Sequence, residues 1–221
     1  FSGISAGYRT WCGVATGTSR VYCRGVNIYN QMGHPNISES STPLRVEGIP
    51  LATAVAFGSA SACALAVDGS AWCWGADHGN LGRGVSPPGD GSLPGPVSGG
   101  LTFTGLAVGE VVTCGVATGG GAGYCWGRGS EGALGTGDAS DRNVPTPVQG
   151  GLSFASISST KMQVLASYPY VLQYHTCAVT TGGAAYCWGR NTFGQLGDGG
   201  ITDAVAPVAV AGGRSFATIS A

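Results

Sequence analysis

Lysine is almost missing: Lys161 is the only one in 221 residues, nine scattered arginines supply the other cationic side chains, and the formal net charge is −1. A chain this short of clustered positive charge has no electrostatic footprint for nucleic acid or for an anionic membrane surface. Charged residues of both signs make up only 10% of the chain. No run of eighteen apolar residues occurs, so no membrane-spanning helix and no membrane insertion are expected. Phe1 opens directly into patterned sequence without a basic stretch and an apolar core behind it, so an export signal would have been removed or would lie upstream. Helical periodicity is absent as well. What the chain has instead is 41 glycines, 11 prolines and short clusters of β-branched and aromatic residues, the composition of many strands punctuated by turns.

Those strands repeat. The apolar position that opens each unit falls at Ile4, Val55, Leu106, Ile157 and Ile219, at intervals of 51, 51, 51 and 62 residues. Each unit then carries a first cysteine, a glycine-bearing turn, a second cysteine usually followed by Trp-Gly, a Leu-Gly or Met-Gly pair, and a Pro-Val region. The clearest copy reads Thr176-Cys177-Ala178-Val179, Tyr186-Cys187-Trp188-Gly189, Gln195-Leu196-Gly197 and Pro207-Val208. Four short strands in roughly fifty residues suit a propeller blade, whose two faces are both covered by neighbours and which therefore loses simple in-out alternation.

On Cys73-Trp74-Gly75, Cys125-Trp126-Gly127 and Cys187-Trp188-Gly189, with the Leu-Gly pairs that follow them, the chain resembles the repeats of the regulator of chromosome condensation family in their cysteine-bearing bacterial form. The resemblance covers essentially the whole chain and implies an all-β fold of propeller type. The units divide as blades at about 1–51, 52–102, 103–153 and 154–215 of one repeat domain, with 216–221 as the first strand of a fifth. That surplus strand, together with the family's usual ring of seven, leads us to expect an open arc of four blades with apolar faces at both ends and further blades of the same chain beyond them. The first unit departs from the pattern, with Arg24 in the tryptophan position and Met32-Gly33 for Leu-Gly, so its blade should pack less well.

Eight cysteines fall into four pairs, Cys12 with Cys23, Cys63 with Cys73, Cys114 with Cys125 and Cys177 with Cys187, each straddling a turn. Hairpins folded there set the partners opposite each other, with Cα atoms about 4.5–5.5 Å apart, close enough for a disulfide. Four bridges would imply an oxidising, extracytoplasmic compartment. Reduced, buried thiols remain an alternative, as does metal binding, although no Cys-x-x-Cys knuckle exists and His34, His78 and His175 follow no ligand spacing.

Chemistry-bearing motifs are few. Gly3-Ile4-Ser5-Ala6-Gly7 matches a nucleophile elbow and Gly127-Arg128-Gly129-Ser130-Glu131-Gly132 a dinucleotide fingerprint, yet each needs a helix behind it, and here only turns and strands follow. Asp138 with Asp141, and Asp198 with Asp203, are too few for a calcium cage and read as turn residues. Asn36-Ile37-Ser38 is a formal glycosylation sequon. We therefore expect no catalytic residues, no metal and no cofactor. Recognition belongs in loops on a rigid scaffold. The 62-residue interval places an insertion of about a dozen residues between Lys161 and Tyr174, carrying Tyr168, Tyr170 and Tyr174 as candidate contacts; it also reads as a strand extension or as packing over a neighbouring blade. Val85 to Gly91 is a second candidate loop, and it also reads as plain linker. The function read here is a non-catalytic scaffold for a protein or ligand outside the cytoplasm. The family also hosts nucleotide-exchange regulators of small GTPases, and an accessory domain of a secreted hydrolase is a further alternative.

Overall fold

The computed structural model describes residues 1–7, 9–84, 91–160 and 174–221. Among these residues sixteen strands form four antiparallel sheets, each built in chain order. Blade 1 holds β1 (Gly3–Gly7), β2 (Thr10–Val14), β3 (Val21–Val26) and β4 (Glu39–Arg45). Blade 2 holds β5 (Ala52–Phe57), β6 (Ser61–Ala66), β7 (Ala71–Gly75) and β8 (Gly95–Pro96). In blade 3 come β9 (Phe103–Val108), β10 (Val112–Ala117), β11 (Gly123–Gly127) and β12 (Arg142–Pro147). Blade 4 has β13 (Phe154–Ser159), β14 (His175–Thr180), β15 (Ala185–Gly189) and β16 (Ala204–Ala209). Among the described residues the helical content is one 3-10 turn, Ser130–Gly132.

Successive blades pack first strand to first strand, β1 on β5, β5 on β9 and β9 on β13. These four strands, with Ser220, line a cavity of about 360 Å³ at the hub. The core lies between blades: one cluster joins Cys12, Cys23 and Met32 of blade 1 to Phe57, Ala62 and Trp74 of blade 2, and another joins Cys114, Cys125 and Leu134 of blade 3 to Phe154 and Trp188 of blade 4. Blade 1 forms despite its altered sequence, because Met32 is fully buried where the other units bury Leu81, Leu134 and Leu196.

The Cys-Trp-Gly motif has a geometric cause. Pairing between the third and fourth strands slips from Cys125 to Gly127, and again from Cys187 to Gly189. Each slip is a bulge whose glycine takes a φ above 100°, a region that costs glycine nothing. The bulge turns the tryptophan out of its own blade toward the preceding one. There Trp74 Nε1 donates to the Gln31 carbonyl at 2.9 Å, Trp126 Nε1 to that of Asn80 at 2.9 Å, and Trp188 Nε1 to that of Ala133 at 3.1 Å. The glycine of Leu-Gly leaves room for the indole: a Cβ on Gly82 would come within 2.7 Å of Trp126 Nε1, and one on Gly135 within 2.8 Å of Trp188 Nε1. Arg24, at the corresponding place in blade 1, is exposed and lies 5.9 Å from the Trp11 ring centroid.

All eight cysteines are bridged in the pairs the spacing suggested, each across the second and third strands of one blade with Cα atoms 4.1 Å apart. The partners stand in direct register, Cys12 opposite Cys23 and Cys114 opposite Cys125.

Two outcomes follow. Trp126→Ala, which empties a fully buried site between blades, should cost about 3–5 kcal/mol in urea denaturation without reductant, with Trp72→Ala, whose ring is only half buried, costing clearly less. Alkylation without reduction followed by peptide mass mapping should find no labelled cysteine in protein from its native source; labelling at all eight positions would contradict the bridges.

Candidate functional site

Strand order puts the loops joining first to second and third to fourth strands at one end of every blade, and the hairpin turns between second and third strands at the other. At the first end, loops of blades 1, 2 and 3 enclose a cavity of about 490 Å³ lined by Tyr29, Ser59, Ala60, Ala76, Asp77, His78 and Glu110. Local bonding fixes its walls. Tyr29 is held by its amide, which donates to Gln31 Oε1 at 2.9 Å. Asp77 Oδ1 accepts from the Gly79 amide at 2.8 Å, and the His78 amide donates to Asn80 Oδ1 at 3.0 Å. The Glu110 amide donates to the Thr160 carbonyl of blade 4 at 3.3 Å. Ile28 and Tyr29 leave large apolar surfaces exposed on this end, and Phe193 does so on blade 4.

Electrostatically the cavity is acidic at its edge. Burial raises the Glu110 carboxyl above its ordinary value of 4.5, outweighing the His78 ring, the Tyr174 hydroxyl and the Arg128 guanidinium, which favour ionisation. Among the described residues Glu110 Oε2 has no hydrogen-bond partner. Further around the same end, Arg190 and Glu131 pair across blades 4 and 3 at 3.3 Å, a contact of the half-exposed kind worth about 0–1 kcal/mol. Small residues, one aromatic wall and carboxylates at the rim make a recess that can hold a side chain or small group with an apolar body and a donor tip. Among the described residues no group of three or more His, Cys, Asp or Glu side chains is placed to hold a metal ion.

The sequence candidates fall differently. Tyr168, Tyr170 and residues 85–90 lie outside the described residues. Tyr174 is placed in the interior, 4% exposed and within the cluster that contains Trp188. Its hydroxyl is pushed up to about 12, first by burial and then by the charge of Glu110. Tyr174 thus stands behind the cavity and presents no open face. Ser5 accepts a hydrogen bond from the Phe57 amide at 2.9 Å and joins blade 1 to blade 2. His175 is buried, with Nδ1 3.0 Å from Thr160 Oγ1. Asp141 and Asp203 accept from the backbone amides of Gly129 and Asn191, and Asp138 and Asp198 from those of Ser140 and Gly200, so all four hold turns. Those bonds keep the Asp138 and Asp198 carboxyls below the usual range.

Sequence reading passed over Tyr29, Asp77 and Glu110, and said of His78 only that it follows no ligand spacing. The signal was positional: counted from the half-cystines, Glu110 stands in the same loop slot as Ser59, and Tyr29 one place beyond the slot of His78.

Glu110 makes a pH prediction possible. A carboxyl raised in the folded state contributes stability that is present below its unfolded value and lost as pH rises through the folded one. Glu110→Gln should therefore gain stability relative to the parent as pH rises from 3.5 to 7, with the two converging at the acid end, as read by urea denaturation at each pH. A constant difference across that range would contradict the burial of this carboxyl.

Four four-stranded antiparallel blades, tied at the hub by their first strands and cross-linked by indoles, define a β-propeller assembly of repeat type. Two models of the regulator of chromosome condensation (RCC1) repeat match residues 121–166 and 173–195. The chain belongs to that repeat family. It is 32% identical over 193 residues to the ultraviolet-B receptor UVR8 of Arabidopsis thaliana, a match that covers 85% of this chain and 41% of the receptor. Among solved structures it is similar to human WBSCR16, with a TM-score of 0.81 at 20% identity over 99% of this chain and 55% of that one. It is also similar to yeast RCC1 (Prp20), solved bound to Kap60, with a TM-score of 0.78 at 19% identity over 96% of this chain and 48% of that one. The chain thus spans about half the length of these relatives, and all three are eukaryotic.

Proposed function

We propose that this chain is a non-catalytic binding scaffold that works outside the cytoplasm and takes a protein partner at its loop end. The observation that carries the reading is the cavity between blades 1, 2 and 3, open on the end where Ile28 and Tyr29 are exposed. Exposed aromatic and aliphatic side chains beside a recess with polar groups at its rim are what protein interfaces use as anchors. Its walls come from three blades that are each closed by a disulfide, so the recess is held in shape before anything binds. Four bridges in 221 residues favour an oxidising compartment. Protein binding also agrees with the yeast relative, which was solved with a protein bound.

The test compares the two ends of the molecule. A partner cross-linked to the native protein is purified, and its affinity is measured for the Tyr29→Ala/Asp77→Asn double variant. The control is the Leu51→Ser/Val67→Ser pair, which alters exposed apolar residues at the hairpin-turn end. The cavity variant should bind at least tenfold more weakly, about 1.4 kcal/mol, while the control is unchanged and both keep the parent's thermal midpoint. Full affinity in the cavity variant would remove the loop end from consideration.

A further inference from the structure

The loop-end recess carries a chemistry that narrows what it accepts. Two of its side chains are carboxylates from different blades, Asp77 of blade 2 and Glu110 of blade 3, and Tyr29 of blade 1 adds an aromatic ring. Ala60 and Ala76 keep the rest of the lining short, and their loops are tied by the bond from the Ala76 amide to the Ala60 carbonyl at 2.9 Å. Glu110 is braced by both neighbouring blades: its amide donates to the Thr160 carbonyl of blade 4, and its own carbonyl accepts from Asn80 Nδ2 of blade 2 at 3.5 Å.

Neither carboxylate is fully engaged among the described residues. Asp77 gives Oδ1 to the Gly79 amide, yet an ionised carboxylate can accept about four bonds over its two oxygens. Glu110 accepts from the Tyr174 hydroxyl, while its Oε2 is buried without a partner. The His78 ring and the Arg128 guanidinium favour ionisation of Glu110 through their charge, but neither forms an ion pair with it or with Asp77. A half-buried carboxylate with no cation against it carries a desolvation cost that a positively charged ligand in the same recess would offset. The raised Glu110 carboxyl agrees with that cost.

The kind of cation follows from the walls. Asp77, His78 and Glu110 are not grouped to hold a metal ion, which directs the choice to an organic cation. A guanidinium group is planar and weakly hydrated, stacks on an aromatic ring, and donates from a fork of N–H groups that suits carboxylates. An ammonium group is a compact, strongly hydrated charge and would give up more water on entering. We propose that the recess is a guanidinium pocket, filled by an arginine side chain of the protein partner that lies against Tyr29 and donates to Asp77, with Glu110 supplying the second negative charge. The inference rests on the loop-end reading above and gives its partner a chemistry.

The probe is N-methylguanidinium chloride, titrated at constant ionic strength into the 221-residue protein and followed at the amide resonances of Tyr29, Asp77 and Glu110. All three should shift along one saturable curve. Neutral N-methylurea, of the same shape, should shift none of them, and methylammonium should bind at least about threefold more weakly. Asp77→Asn and Glu110→Gln should each weaken the probe at least about fivefold. Asp68→Asn, in the exposed turn between β6 and β7 at the other end, should leave it unchanged. Equal binding of N-methylurea, or full affinity after Asp77→Asn, would overturn the proposal. A partner that depends on Tyr29 and Asp77, with no site for the probe, would remove the arginine and leave the loop-end reading standing. A saturable site for the probe, with partner affinity intact in the Tyr29→Ala/Asp77→Asn variant, would overturn that reading while the guanidinium site stands. Dimers of the chain that the probe dissociates would assign the arginine to a second copy and overturn the separate partner.

Discussion

Each indole that follows a second half-cystine leaves its own blade, lies over a positive-φ glycine of the blade before, and donates to the backbone carbonyl two residues before that glycine. The contact has three parts that depend on one another. The bulge at the third strand aims the ring, the Leu-Gly glycine removes the Cβ that would block it, and the buried leucine or methionine sets the height of the loop that offers the carbonyl. A fully buried indole with its N–H paired contributes large apolar burial without the cost of an unpaired polar group. Because the ring belongs to one blade and the carbonyl to its neighbour, this contact converts four separate sheets into one body, much as nearest-neighbour interfaces hold other repeat arrays.

The disulfides act at a different level. They lie inside blades, across a hairpin that hydrogen bonds already close, so they stiffen each unit without joining it to the next. With blades rigid and blade pairs locked, side chains in the loops can change without altering the frame. The cavity shows the result: Tyr29, Asp77 and Glu110 come from three blades, occupy loop slots of the repeat, and share no motif.

Much of the frame was legible in the sequence because its causes are local and repeated. The spacing of Cys114 and Cys125 is enough to put them opposite one another in a hairpin, and Trp126-Gly127 marks a strand end in the same register as Trp74-Gly75 and Trp188-Gly189. Met32 could be matched to Leu81 because volume and position agree. The cavity was not legible, since its walls meet only after the blades turn about the hub, and nothing in the neighbourhood of Glu110 along the chain points to Tyr29. Tyr174 illustrates the reverse. Its residue type suggested a surface contact, but Tyr174 is buried; the slot three residues before the first half-cystine is exposed at Arg9, half-buried at Ala60 and buried at Val111, so the repeat position alone did not decide it.

The central claim, that indole-to-carbonyl contacts between successive blades hold the assembly together, can be measured at the indole protons themselves. Hydrogen exchange followed by NMR resolves the five tryptophan Nε1–H groups of the chain. The account predicts that Trp74, Trp126 and Trp188 exchange orders of magnitude more slowly than Trp11 and Trp72, which lie partly open to solvent within their own blades. Similar rates for all five, under conditions where the backbone amides of β6 and β10 remain protected, would show that the blades are joined by something else.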